Sequence, residues 1–337
     1  MVQSHLFDQL STQDQQTLQR IFDGIELPPL YSDTIAKRVF SADIHPDRLN
    51  FLLQSIAKDA TIDVRSSATN EALRQSTGSK GMVSDIPSWL RDGRLTDLEI
   101  QNAAQNFIFT RVELYASSML LLQYSASRGR AKSSVSYRNV NEVLLVVLMV
   151  KSPKAFKDYD QKSDSYIHRF TSLRSDTGLS YPARAKTIYV QLDKCFDQFK
   201  RGINAEAEDG KPDRLQKWLA AIADVNDARV ARTAAEDETL SGILSEIHNM
   251  SQDKEVQIML TQEMFDRMDR ESYGDEREEK GMEKGMEKGM EKGMEKGESK
   301  FADLTGKLLS AGRIEDVKKA SADPIYRKKL YEELQIQ

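Results

Sequence analysis

The sequence predicts an α/β protein with its sheet in the first two hundred residues and helices beyond. Three observations lead there. The run Val143 to Val150 is far too short to cross a bilayer as a helix and is apolar throughout, the habit of a strand buried on both faces. Two further runs, about Met82 to Leu90 and Arg94 to Gln101, flank Arg91-Asp92-Gly93, whose composition suits a three-residue hairpin loop with glycine in the left-handed region. From Pro212 onward, apolar residues recur mainly at helical spacing.

Taken in order, Leu18, Ile21, Phe22 and Ile25 fall at helical spacing behind a Ser/Thr cap at Ser11, and Leu27-Pro28-Pro29 ends that helix. A second helix of about two turns follows Ser32, with Ile35, Ala36, Val39 and Phe40 inward. Pro46 to Lys58 reads as a third, and Thr61 to Val64 as a short strand. Ser66 to Lys80, rich in Ser, Thr, Asn and Gly, reads as a loop. After the hairpin, Asn102 to Ser125 carries Phe107, Ile108, Val112, Tyr115, Met119 and Leu122 on a helix that packs on the sheet. Tyr166 to Leu173 and Thr187 to Leu192 alternate like strands. Arg214 to Ala223 is helical around Trp218, and Thr239 to Met268 forms one longer amphipathic stretch.

At 337 residues, with 39% hydrophobic and 30% charged, the chain can bury a sizeable core. One cysteine, Cys195, rules out an internal disulfide, and no Cys/His cluster has zinc spacing, so a reducing, cytoplasmic setting is expected. No secretory signal or membrane span is evident. A net charge of -5 argues against nucleic-acid binding over the whole surface, but not against a local basic patch.

The hairpin carries the chemistry. Counting outward from Arg91-Asp92-Gly93 sets Leu90 against Arg94 and Trp89 against Leu95, which brings Asp85 opposite Glu99 with Gln101 on the same face. Two carboxylates at that separation repel, and a bound cation removes the conflict. Magnesium takes one or two carboxylates and keeps several waters, so Asp85 and Glu99 suit it, and Gln101 can orient the attacking water. The same spacing also suits two acids splayed into solvent. Pro87 cannot donate to a ladder, so an edge position or a bulge is expected near Asp85.

With their surroundings, these residues resemble the PD-(D/E)XK nuclease superfamily, and within it the recombination-promoting nuclease and transposase family. Ser32-Asp33-Thr34-Ile35-Ala36-Lys37-Arg38-Val39-Phe40 is similar to its early Asp-x-x-x-Lys-x-x-Phe element; Asp85 resembles the aspartate of the first hairpin strand, and Glu99-Ile100-Gln101 its Glu-Ile-Gln. Phe107, Arg111 and Tyr115 match the aromatic, arginine and tyrosine of the next helix. The resemblance implies a restriction-endonuclease-like mixed sheet flanked by helices, followed by an all-helical C-terminal region. It implies magnesium-dependent, or other divalent-cation-dependent, cleavage of DNA linked to recombination or transposition. Asp33, Asp85, Glu99 and Gln101 would be catalytic, with Asp85 and Glu99 on the metal. Gln101 stands where most of the superfamily has lysine, which removes a positive charge from the transition state. A catalytically degenerate relative that binds DNA or a partner through the same fold is the alternative.

For DNA contacts the candidates are Lys37, Arg111, which otherwise pairs with Glu113, and the cations Arg128, Arg130, Lys132 and Arg138 of a Ser/Gly-rich loop. Gly281 to Gly297 repeat Gly-Met-Glu-Lys; each glycine costs about 1 kcal/mol relative to alanine in a helix, so the tract reads as a spacer. Phe301 to Ser310, Ile314 to Ser321 and Pro324 to Leu334 read as three short helices, suited to DNA binding or homo-oligomer contacts. The expected organisation is an N-terminal helix over 1–27, a nuclease-like domain over 28–200, a helical region over 201–274, a repeat linker over 275–300 and a helical segment over 301–337.

Overall fold

A computed structural model describes residues 2–68, 85–104, 107–128, 140–268, 299–334 and 336. The chain forms two compact units, Met1–Phe265 and Asp266–Gln337.

The first unit is built on six strands: β1 (Val64–Ser67), β2 (Ile86–Leu90), β3 (Leu95–Gln101), β4 (Val143–Met149), β5 (Ile167–Arg174) and β6 (Ser180–Gln191). Their order is β1-β2-β3-β4-β6-β5. The central pairs β3/β4 and β4/β6 are parallel, while β1/β2, β2/β3 and β5/β6 are antiparallel, so the sheet is mixed. The middle strand β4 is buried at every position, which explains its unbroken apolar sequence.

Alternation along the strands sends side chains to two cores. Leu98, Ile100, Leu144, Val146, Leu148, Ile188 and Val190 join one core with residues from Leu10 to Leu260. Its helices include α2 (Thr12–Phe22), α3 (Asp33–Val39), α4 (Pro46–Ala57), α7 (Leu192–Lys200), α8 (Arg214–Ala223), α9 (Ala228–Ala234), α10 (Glu238–Ser251) and α11 (254–268). On the opposite face Leu95, Val143, Leu145, Val147, Met149 and Tyr189 pack against α5 (Ile108–Arg128) and Phe156 of α6 (Lys154–Tyr159). A short helix, α1 (Val2–Gln9), precedes these elements.

Local signals placed most boundaries. Ser11 caps α2 through its hydroxyl, which accepts from Asp14 N at 3.1 Å. Pro46 opens α4, and Lys58 closes it in the left-handed region at φ 54°. Other boundaries differ from expectation, among them the start of α5, which falls at Ile108 rather than Asn102. Thr61 belongs to a turn in which Asp59 Oδ1 accepts from its amide at 2.9 Å, so β1 starts only at Val64. The strand expected from Thr187 starts at Ser180, because its first residues pair with β5 alone and stay largely exposed, which hides the usual apolar pattern. The single stretch from Thr239 to Met268 is two helices, broken where Asp253 Oδ1 accepts from Glu255 N at 2.7 Å and starts α11.

In the second unit α12 (299–310), α13 (Ile314–Ala322) and α14 (Pro324–Glu333) close over Leu304, Leu308, Ala320 and Leu330. Arg313 joins α13 and α14 by bonding Asp316 and Glu333, each at 2.6 Å. The Gly-Met-Glu-Lys repeats lie outside the described residues; of the loop expected over Ser66 to Lys80, Ser66 and Ser67 belong instead to β1, paired with Trp89 and Ser88, and residues 69–80 lie outside the described residues.

Candidate active site

The hairpin loop fixes the site. Leu90 N donates to Arg94 O at 2.9 Å, Gly93 N donates to Leu90 O at 3.0 Å, and Gly93 sits at φ +85°, the left-handed residue that a three-residue loop requires. The register then runs Trp89↔Leu95, Ser88↔Thr96, Pro87↔Asp97 and Ile86↔Leu98, and its next step sets Asp85 against Glu99. Two hydrogen bonds lock that step: Ile100 N donates to Asp85 Oδ2 at 2.8 Å, and Asp85 N donates to Glu99 Oε2 at 3.3 Å. Pro87 does not mark an edge, because β2 lies between β1 and β3. Ladder bonds to β3 fall to the even-numbered residues of β2, so the nitrogen of Pro87 points toward β1, which ends at Ser67. Ala68, just past β1, donates its amide to Pro87 O at 2.7 Å, so the proline forgoes only the reciprocal bond, at the very end of the β1 ladder, and the irregularity falls in β1, between Val64 and Ser66.

Glu99 lies out of water at 2% exposed, and Asp85 is half-buried beside it. Burial pushes Asp85 up to about 7, reinforced by the negative charges of Asp33 and Asp97 and opposed by the Ile100 amide and Lys37. Burial likewise holds Glu99 well above the usual carboxylate range, with Asp85 and Asp97 adding to the effect and Arg111 opposing it.

Arg111, one turn into α5, turns to the sheet rather than to Glu113. Its Nη2 donates to Glu99 Oε1, its Nη1 to Gln101 Oε1 at 2.8 Å and its Nε to Tyr115 OH at 3.3 Å. The arginine and tyrosine of the sequence match therefore serve one purpose, Tyr115 steadying the guanidinium that bridges Glu99 and Gln101, while the aromatic, Phe107, is largely exposed. Asp33, at the start of α3, pairs with Lys37 Nζ at 3.8 Å. Its charge reaches Asp85, so α3 and the hairpin converge. Asp97, 0% exposed, is the residue the sequence reading passed over. Strand parity already placed it on the face of Glu99 and Gln101. Of the loop cations, Arg128 ends α5, while Arg130, Lys132 and Arg138 lie outside the described residues.

The donor set suits a divalent cation. Among the described residues no group of three or more His, Cys, Asp or Glu side chains is placed to hold one ion, but magnesium needs only one or two carboxylates and completes its shell with water. Asp85 Oδ1 accepts no hydrogen bond among the described residues, and Glu99 Oε2 accepts only the long one from Asp85 N. Each acid thus keeps an oxygen for a ligand. Two mutually repelling carboxylates, one buried and one half-buried, are the arrangement that a positive ion relieves.

An antiparallel hairpin feeding a parallel strand, with paired acids where the second hairpin strand ends, defines the class: a nuclease-like α/β domain. The family described as PD-(D/E)XK nuclease family transposase matches residues 30–277, and the chain belongs to it. No curated protein and no solved structure matches the chain. Among the described residues no helix is long and apolar enough to cross a membrane.

Proposed function

We propose that this chain is a divalent-cation-dependent DNA endonuclease that hydrolyses phosphodiester bonds at the hairpin site. One observation carries the reading: the register brings buried Glu99 and half-buried Asp85, both with raised proton affinity, together, each with a free oxygen. When bound, the cation supplies Lewis acidity at the phosphate and lowers the pKa of a water. Asp85 and Glu99 would hold it. Gln101 has given its carbonyl oxygen to Arg111, so its Nε2 remains to donate to a phosphate oxygen or to the incoming water. Asp33, partly exposed beside Lys37, would serve as the base for a water, and Lys37 would offer its charge to a phosphate. Arg111 keeps Glu99 oriented and limits the charge of the pair. DNA is the substrate, as the transposase family implies.

A second reading, a relative that binds DNA without cutting it, is favoured by Arg111 itself. The guanidinium already neutralises Glu99, and Gln101 brings no positive charge to the reaction. Nicking of supercoiled plasmid separates the two. The endonuclease predicts nicking that requires magnesium, stops in chelator and is lost in Glu99→Ala. Salt-sensitive DNA binding with no nicking by the wild-type chain would establish the second reading instead.

A further inference from the structure

The helix that presents Asp33 is not capped by its own residues. Ser32 occupies the N-cap position of α3 but makes no capping bond to it. Its hydroxyl donates instead to Glu263 Oε2 at 2.7 Å, and the same carboxylate accepts from Asp33 N at 3.0 Å and from Thr34 N at 3.2 Å. Glu263 belongs to α11, more than two hundred residues later in the chain. Free amides in the first turn of a helix need an acceptor, and a carboxylate there also complements the helix dipole. Around the clamp, Arg38 Nη2 reaches Met259 Sδ at 3.6 Å, and Val256 and Leu260 enter the same core as Ile35 and Val39.

We infer that Glu263 is a positioning residue for the active site: its carboxylate, bound to the backbone of Asp33 and Thr34, fixes where α3 begins and so where Asp33 stands against Asp85. The inference rests on the function proposed above. It also explains why a helix so far along the chain belongs with the nuclease core, inside the span of the family match. Ser32 lies ready to cap α3 once Glu263 is gone, so the helix survives the loss while its first residue shifts.

The test uses the full chain. Glu263→Ala, Asp33→Ala and the double variant are compared in magnesium-dependent plasmid nicking, with hydrogen exchange of the Asp33 and Thr34 amides measured alongside. A small misplacement far from the chemistry costs up to roughly a hundredfold in rate, so Glu263→Ala is expected to slow nicking roughly ten- to hundredfold. The double variant should be no slower than Asp33→Ala, because both changes remove one contribution. Glu263→Gln, whose carbonyl still accepts an amide, should recover part of the rate. Faster exchange confined to residues 33 and 34 in Glu263→Ala supports the clamp. Losses that multiply in the double variant, or unchanged exchange, overturn it. If the wild-type chain does not nick, the endonuclease reading fails, and the exchange measurement alone decides whether Glu263 holds α3.

Discussion

Replacing Asp85 by asparagine should stabilise the cation-free protein at alkaline pH, although the residue lies at the centre of the site. Asp85 has a folded-state pKa near 7 against an ordinary value of 3.8. In that situation the folded state binds more protons than the unfolded chain between the two values, so stability falls as pH rises from about 4 through 7 and then levels. A displacement of about three pKa units corresponds to at most about 4 kcal/mol. The asparagine side chain would keep an oxygen to accept from the Ile100 amide, now at 2.8 Å, while shedding the charge. The assay is thermal or urea unfolding in chelator at pH 4.5, 6 and 8. Asp85→Asn should exceed the wild type only slightly at pH 4.5, by about 1 kcal/mol, and most at pH 8. For a domain of this size about 2–4 °C accompany each kcal/mol, so the gain reaches roughly 8–16 °C at its upper limit. Magnesium should stabilise the wild type and leave the variant unchanged. A wild type equally stable at all three pH values, or a variant weaker at pH 8, would contradict the reasoning.

Three further outcomes follow from the same contacts. Arg111→Met strips the cation from Glu99, and breaking a buried pair costs about 3 kcal/mol; urea unfolding should show the loss, and the loss should shrink as pH is lowered, because the raised proton affinity of Glu99 lets it take up a proton and shed the unpaired charge. Asp237 caps α10 by accepting from Thr239 N at 3.0 Å and Leu240 N at 3.1 Å, so Asp237→Ala should cost about 1–2 kcal/mol in equilibrium unfolding at neutral pH. The hydrogen bond from Arg214 holds that carboxyl well below the usual range, so its contribution is present above about pH 4 and is lost as pH falls through its folded value. Gly93→Ala places a side chain at φ +85°, where its Cβ would lie 3.1 Å from Asn141 Nδ2; a loss of about 1–2 kcal/mol is expected by calorimetry, without change of fold.

The fold and much of the site were legible because short-range rules governed them. Arg91-Asp92-Gly93 determines a loop length, the loop length a register, and the register the meeting of Asp85 with Glu99. Apolar continuity marked β4, and capping chemistry marked α2 and α4. What stayed hidden depended on partners distant in sequence. Nothing near Ser32 says that its hydroxyl will serve Glu263, and nothing around Arg111 chooses Glu99 over Glu113. Pro87 misled for a similar reason, since its cost depends on where β1 happens to stop. Asp97 was readable by strand parity and was passed over because only its two neighbours on that face carried a recognisable pattern.

The central claim is that Asp85 and Glu99 share one divalent cation. Calorimetric titration of manganese into the wild-type chain, Asp85→Asn and Glu99→Gln tests it most directly. One saturable site is expected in the wild type, lost in both variants while their folds persist. Unchanged binding in either variant would place the cation elsewhere and contradict it.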